Sequence, residues 1–176
     1  MPDITYRPAR AEDLDAIAAL MAVSIGRLLR PFLNDEQIEA SRAVMGLDRQ
    51  LVADGTYFAA LAGDDLAGCG GWSRRATLYG GDAMAGRDAA LLRPGLDAAR
   101  VRAMYTHPDH VRRGIGRRIL ELCEDAARRE GFTRVELVAT MAGLPLYQAA
   151  GFKVVERLSD DRGGAAVPLA RMTRDL

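Results

Sequence analysis

The chain has 176 residues, 49% of them hydrophobic, a length suited to one domain (residues 1–176) with enough apolar material for a sizeable core. Its 24 basic and 24 acidic side chains cancel, so no global charge draws it to nucleic acid or to a membrane surface. No secretory leader and no apolar run of about 18 residues is visible, so a cytoplasmic protein without a membrane partner is expected.

In chain order, residues 4–7 form a short first strand. Residues 11–14 open a helix, with Leu14, Ile17, Ala18 and Met21 at helical spacing, that runs to about Leu29. Pro31 ends it, because proline disfavours helix in the residue before it. Asn34 suits the N-cap of a second helix to about Met45. Residues 57–61 and 66–72 read as a hairpin turning at Gly63-Asp64-Asp65. Residues 74–98 follow neither the helical nor the strand period. Gly80, Gly81, Gly86, Pro94 and Gly95 punctuate them, and they read as a substrate-side loop, the plainer reading being a solvated insertion.

Residues 101–106 read as a strand and 107–110 as a turn around Pro108. A helix follows, with Ile115, Ile119, Leu122, Cys123 and Ala126 on one apolar face and Arg117, Arg118, Glu121, Asp125 and Arg128 largely off it; Gly131 stops it. Residues 134–139, 153–158 and 165–172 are further strands. Pro168 puts the last near a sheet edge or in irregular pairing. No repeat is present, and the order predicts an α/β (α+β) fold, a mixed sheet with helices on both faces. Cys69 and Cys123 read as small core thiols. His107 and His110 have no acidic or cysteine cluster beside them, so no metal site is expected.

The stretch 111–117, Val-Arg-Arg-Gly-Ile-Gly-Arg, carries the most chemistry. Gly114 and Gly116 sit where a turn enters a helix, and arginines flank them. The first N–H groups of a helix lack internal partners and carry partial positive charge, and glycine lets an anion approach the backbone. A mononucleotide loop would need Lys and then Ser or Thr after the second glycine, where this chain has Arg117 and Arg118. A dinucleotide fingerprint would need a third glycine where Ile119 stands.

Residues 111–117 resemble the acyl-coenzyme A site of the GNAT acyltransferase superfamily, whose motif is Arg or Gln, two residues, Gly, one residue, Gly or Ala. The later run Leu146-Tyr147-Gln148-Ala149-Ala150-Gly151-Phe152 resembles the family's tyrosine four residues before Gly-Phe. The likeness covers residues 4–172. It implies a mostly antiparallel sheet of six to seven strands, with two neighbouring parallel strands splayed to admit the coenzyme. Three positions depart from the pattern. Val111 stands at the first motif position, where Arg112 or Arg113 can compensate. Arg100 and Arg102 occupy the strand that often carries an acidic base. Ala142 replaces a frequent asparagine.

The resemblance implies acetyl-coenzyme A, or coenzyme A after transfer, as co-substrate. Arg112, Arg113, Gly114, Ile115, Gly116 and Arg117 would hold its diphosphate. Met104, Tyr105 and Thr106 would line its pantetheine, and a backbone N–H near Tyr105 or Thr106 would polarise the thioester carbonyl. Tyr147 is the candidate general acid: a phenol with a reference pKa near 10 stays protonated and can donate to a departing thiolate. The plainer reading is a core aromatic whose hydroxyl caps a local bond. Asp97, Glu136, His107 and His110 are candidate bases by chemistry alone, and a water chain could replace them. Trp72, Arg74, Arg75 and Arg102 would line the acceptor pocket and favour an acceptor bearing carboxylate or phosphate, a solvated arginine face being the other reading.

The expected function is direct transfer of an acetyl or other short acyl group to an amine of a small molecule or protein, with a homodimer as the commonest assembly. A non-catalytic acyl-coenzyme A-binding regulatory module is the alternative, favoured by the missing acidic residue and opposed by Tyr147. A different anion-binding α/β protein, such as a nucleotide binder, is the third class.

Overall fold

The computed structural model describes residues 1–176. Its strands are β1 (Ile4–Pro8), β2 (Tyr57–Ala62), β3 (Asp65–Ser73), β4 (Ala99–Thr106), β5 (Arg134–Thr140), β6 (Lys153–Asp160) and β7 (Val167–Asp175). They form one sheet in the order β1-β2-β3-β4-β5-β7-β6. Every neighbouring pair is antiparallel except β4 and β5. The expected mostly antiparallel sheet of six to seven strands is therefore present, with seven.

The helices are α1 (Leu14–Leu28), α2 (Asp35–Val44), α3 (Arg49–Ala53), α4 (Ile115–Arg129) and α5 (Leu144–Ala149). A turn of 3-10 helix at Ala11–Asp13 leads into α1. Asn34 caps α2 as expected: its side chain accepts from Gln37 N–H while Gln37 reaches back to the Asn34 N–H, satisfying two otherwise orphaned donors. No helix is long and apolar enough to cross a membrane.

Two cores lie on opposite faces of the sheet. Ile17, Leu20, Met21, Ile25, Ile38 and Leu51 from α1, α2 and α3 pack on one face. Ile115, Ile119, Leu120 and Cys123 from α4, with Tyr147 from α5, pack with Trp72, Phe132 and Val135 on the other. Close approach of α4 to β3 requires glycine: a Cβ at Gly68 would lie 2.5 Å from Ile115 Cγ2. Cys69 and Cys123 are buried free thiols, and burial pushes the Cys69 thiol up to about 12.

One local expectation needs correction, and three features add to the sequence reading. The buried face of α4 runs through Leu120, Glu124 and Ala127, while Leu122 and Ala126 are half-buried. Glu124 is tolerated there because Arg174 donates to it at 2.7 Å. Helix α3 was not foreseen; it is barely one turn long and is nucleated by Asp48, whose side chain accepts from Gln50 N–H at 3.1 Å. Strand β7 runs from Val167 to Asp175 between β5 and the edge strand β6, and Pro168 pairs irregularly as expected. Pairing with β5 stops at Leu169, which leaves Pro168 facing only Ser159 of β6. Residues 74–98 are tied down: Arg75 bridges Leu91, and Thr77 exchanges hydrogen bonds with Asp88.

Candidate active site

Strands β4 and β5 pair only at Ala99–Val135 and Arg100–Glu136, then diverge. Strand β5 remains paired with β7 along its whole length and β4 with β3 as far as Thr106, so the sheet parts between β4 and β5. A bulge in β4 lies where they part. Cys69 faces Tyr105 and Gly71 faces Arg102, so β4 carries one more residue than β3 over this stretch. Ala103 sits in it with φ 52°, a left-handed conformation uncommon for a residue with a side chain. The Tyr57 hydroxyl donates to the Ala103 carbonyl at 2.7 Å and pins the bulge from the opposite face.

The divergence opens a cleft of about 720 Å³ between the halves of the sheet. One wall is the β4 edge beyond Arg100, where no strand pairs on the β5 side. Backbone donors and acceptors on such an edge need a partner, and an extended amide chain can supply one.

At one end of the cleft, β4 passes through Pro108–His110 into α4. The His107 ring nitrogen accepts from Asp109 N–H at 3.1 Å and shapes that turn. Arg112 and Gly114 both adopt left-handed backbone, φ 63° and 76°. Left-handed residues at close spacing in a turn are a feature of anion-binding nests, in which successive N–H groups face one side. No N–H from Val111 through Arg117 donates to an acceptor in the chain; the first helical bond is Arg118 N–H to Gly114 carbonyl at 3.0 Å. Gly116 makes room: a Cβ there would lie 3.0 Å from Leu146 Cδ2.

The structure brings most sequence candidates together. Met104, Tyr105, Thr106, Arg112, Gly114, Ile115, Gly116, Arg117 and Tyr147 all line the cleft. Arg112 is exposed and makes no ion pair, whereas Arg117 leans toward Glu121 at 3.4 Å. The Ile115 side chain is buried in the core, so only its backbone can serve a ligand. Arg113 is turned away: its Nη2 donates to the Pro2 carbonyl at 2.6 Å, its Nη1 lies 2.9 Å from His110 Nδ1, and it does not line the cleft.

Tyr147 projects from α5 with its ring edge against Phe152, centroids 5.8 Å apart. Its hydroxyl makes no hydrogen bond within the chain, unlike a capping tyrosine. Burial pushes the phenol pKa well above its usual value.

The other half of the cleft is walled by Ile25, Leu28, Val44, Met45, Val167 and Leu169, with Tyr79 from the 74–98 loop. The loop therefore reaches the cleft with residues 78–81. Asp160, absent from the sequence candidates, is the one carboxylate lining it. It accepts from Tyr79 at 2.8 Å and from Arg162, whose guanidinium holds its pKa down at about 2. Its pairing with Arg162 is local, but the contact with Tyr79 that sets it at the cleft spans 81 residues.

The remaining candidates disperse. Trp72 is buried against Phe132 in the core. Arg74 pairs with Glu130 and Arg75 with Asp54, outside the cleft. Only Arg102 of that group lines it. Among the proposed bases, Asp97 is held by Arg93 and Glu136 by Arg100 and Arg171, and neither reaches the cleft. His107 is occupied as a cap, and of the proposed bases His110 alone lines the cleft.

Comparison with known proteins agrees with this geometry. Residues 24–152 match the model of the acetyltransferase (GNAT) family. Over 121 residues the chain is 26% identical to an uncharacterized N-acetyltransferase, YsnE, of Bacillus subtilis, covering 66% of this chain and 68% of that protein. Among solved structures, a GCN5-related N-acetyltransferase of Rhodopseudomonas palustris aligns with TM-score 0.74 at 22% identity, covering 100% of this chain and 98% of that one. The PaiA N-acetyltransferase of Thermoplasma acidophilum, solved with coenzyme A, aligns with TM-score 0.65 at 17% identity, covering 99% of each.

Proposed function

The chain belongs to the acetyltransferase (GNAT) family and is an acyl-coenzyme A-dependent N-acetyltransferase; from this premise we propose that the β4–β5 cleft is its acyl-donor site and that transfer takes place beside the Ala103 bulge. Residues 1–176 act as one acyltransferase domain, since both cores pack against a single sheet.

The observation that carries this reading is the row of N–H groups from Val111 to Arg117 left without acceptors at the mouth of a cleft with an unpaired strand edge. Those donors and the Arg112 guanidinium fit a diphosphate. The edge of Met104, Tyr105 and Thr106 fits the amides of pantetheine, and a main-chain N–H there stabilises charge developing on the thioester oxygen. Coenzyme A bound to the Thermoplasma relative supports the assignment.

The reaction balances with few protein groups. The amine nitrogen forms a bond to the acyl carbon, and the carbon–sulfur bond breaks with its electron pair going to sulfur. Tyr147 gives its phenolic proton to that sulfur and regains one from solvent. The proton lost by the amine passes to water in the cleft, because the one carboxylate lining it is held by Arg162 and Tyr79.

Thermal shift with acetyl-coenzyme A, coenzyme A and ATP tests the donor site, since a ligand of the native state raises its apparent stability. Both coenzyme species are expected to stabilise the protein and ATP to do so less. Thiol release from acetyl-coenzyme A across an amine panel tests transfer. A protein indifferent to coenzyme A overturns the reading.

A further inference from the structure

Of the side chains offered by the sequence for acceptor recognition, only Arg102 lines the cleft, and its Nε and Nη1 have no partner in the chain. We propose that Arg102 receives the carboxylate of the acceptor, so that the acceptor is an apolar amino acid acylated on its amino group. This rests on the acyltransferase reading above and deepens it by naming the substrate class.

Arg102 precedes the Ala103 bulge on β4, and only 3% of its side chain is exposed. A guanidinium presents five N–H donors. Arg102 uses Nη2 alone, which meets Asp48 Oδ2 at 2.8 Å and donates to the Gly80 carbonyl. Its Nε is buried without a partner, and Nη1 makes no hydrogen bond. A clasp for the 74–98 loop would need only Nη2; the unused donors call for an acceptor.

Charge points the same way. Arg87 and Arg102 share a single carboxylate, Asp48, which is fully buried. The neighbouring charges cancel in pairs, Asp160 with Arg162 and Asp82 with Arg49. One positive charge remains over at the floor of a cleft walled by Ile25, Leu28, Val44, Met45 and Leu169. A monoanion on an apolar body complements both, and arginine binds carboxylate through paired N–H donors. Strand rise places Arg102 within about 10 Å of Tyr105. An amino acid together with an arginine side chain spans that distance, so its amino group reaches the transfer point.

The test compares matched amines: leucine with isopentylamine and leucine methyl ester, and phenylalanine with phenethylamine and phenylalanine methyl ester. Each is read as thiol release from acetyl-coenzyme A and as calorimetric binding with and without coenzyme A. The free amino acids are expected to exceed their decarboxylated and esterified partners about tenfold or more, since a site built around a polar group rejects analogues lacking it. In Arg102→Met this ratio falls toward unity, and Arg102→Lys retains part of it. Equal turnover or equal binding within the pairs on the unaltered protein overturns the proposal, as does binding of none of them. A variant that fails to fold leaves these comparisons intact. Failure of coenzyme A to bind overturns the acyltransferase reading instead, while the binding pairs still decide the role of Arg102.

Discussion

Tyr57 donates its hydroxyl hydrogen to the carbonyl oxygen of Ala103 at 2.7 Å, joining the first residue of β2 to the left-handed residue of the β4 bulge. Tyr57 is 2% exposed, so Tyr57→Phe keeps the packing and removes only the donor. An acceptor left unsatisfied in the interior costs about 1–3 kcal/mol. The urea midpoint is expected to fall at unchanged m-value, and the KM for acetyl-coenzyme A to rise because the bulge sets the direction of the free β4 edge. A midpoint equal to that of the unaltered protein would mean that the bulge needs no such pin.

Tyr147→Phe is expected to lower kcat by about 100-fold, the scale of general-acid catalysis, while acetyl-coenzyme A still binds. Because burial lifts the Tyr147 pKa, its own deprotonation should not produce a basic limb in the pH–rate profile near neutrality. Full turnover by the variant, with an unchanged profile, would assign the proton to solvent instead.

Gly114 and Gly116 should fail differently when substituted. Gly114 has φ 76° and open space around a would-be Cβ, so Gly114→Ala carries a backbone penalty of about 1 kcal/mol and no clash. Gly116→Val pushes against Leu146 and narrows the passage between α4 and α5. Calorimetry with coenzyme A is expected to show the larger affinity loss in Gly116→Val, and thermal unfolding the smaller difference. Unchanged affinity in both variants would place the diphosphate elsewhere.

Asp160 adds a defined pH dependence to stability. Its pKa falls from the usual 3.8 to about 2 because Arg162 and Tyr79 favour the charged form. A depressed carboxylate pKa stabilises the fold above the unfolded value and loses that contribution as pH falls through the folded one. The contribution at neutral pH is about 2 kcal/mol. Unfolding free energy measured from pH 5 to pH 2 should therefore drop less steeply in Asp160→Asn than in the unaltered protein. Parallel curves would show that the ion pair contributes nothing.

Where information is local, the sequence was readable. The Asn34 cap, the Gly63 turn, the start of α4 and all seven strands follow from periodicity and turn chemistry within a few residues. So does the grouping of Arg112 with Gly114, Ile115, Gly116 and Arg117 on one continuous turn, whereas Arg113 turns away toward the Pro2 carbonyl. The buried face of α4 is not legible locally, because Glu124 reads as polar and its burial depends on Arg174, 50 residues further on. Helix α3 is too short for a periodic signal.

The sequence by itself determined the order of elements, the glycine turn that opens α4, and the tyrosine that follows. Only the tertiary structure decided what these elements enclose. One additional residue in β4, at Ala103, lies where two strands part that pattern alone would pair, since register depends on what lies opposite. Packing likewise sorted arginines of equal intrinsic chemistry: Arg74 and Arg75 found acids outside the cleft, while Arg102 was carried into it with donors to spare.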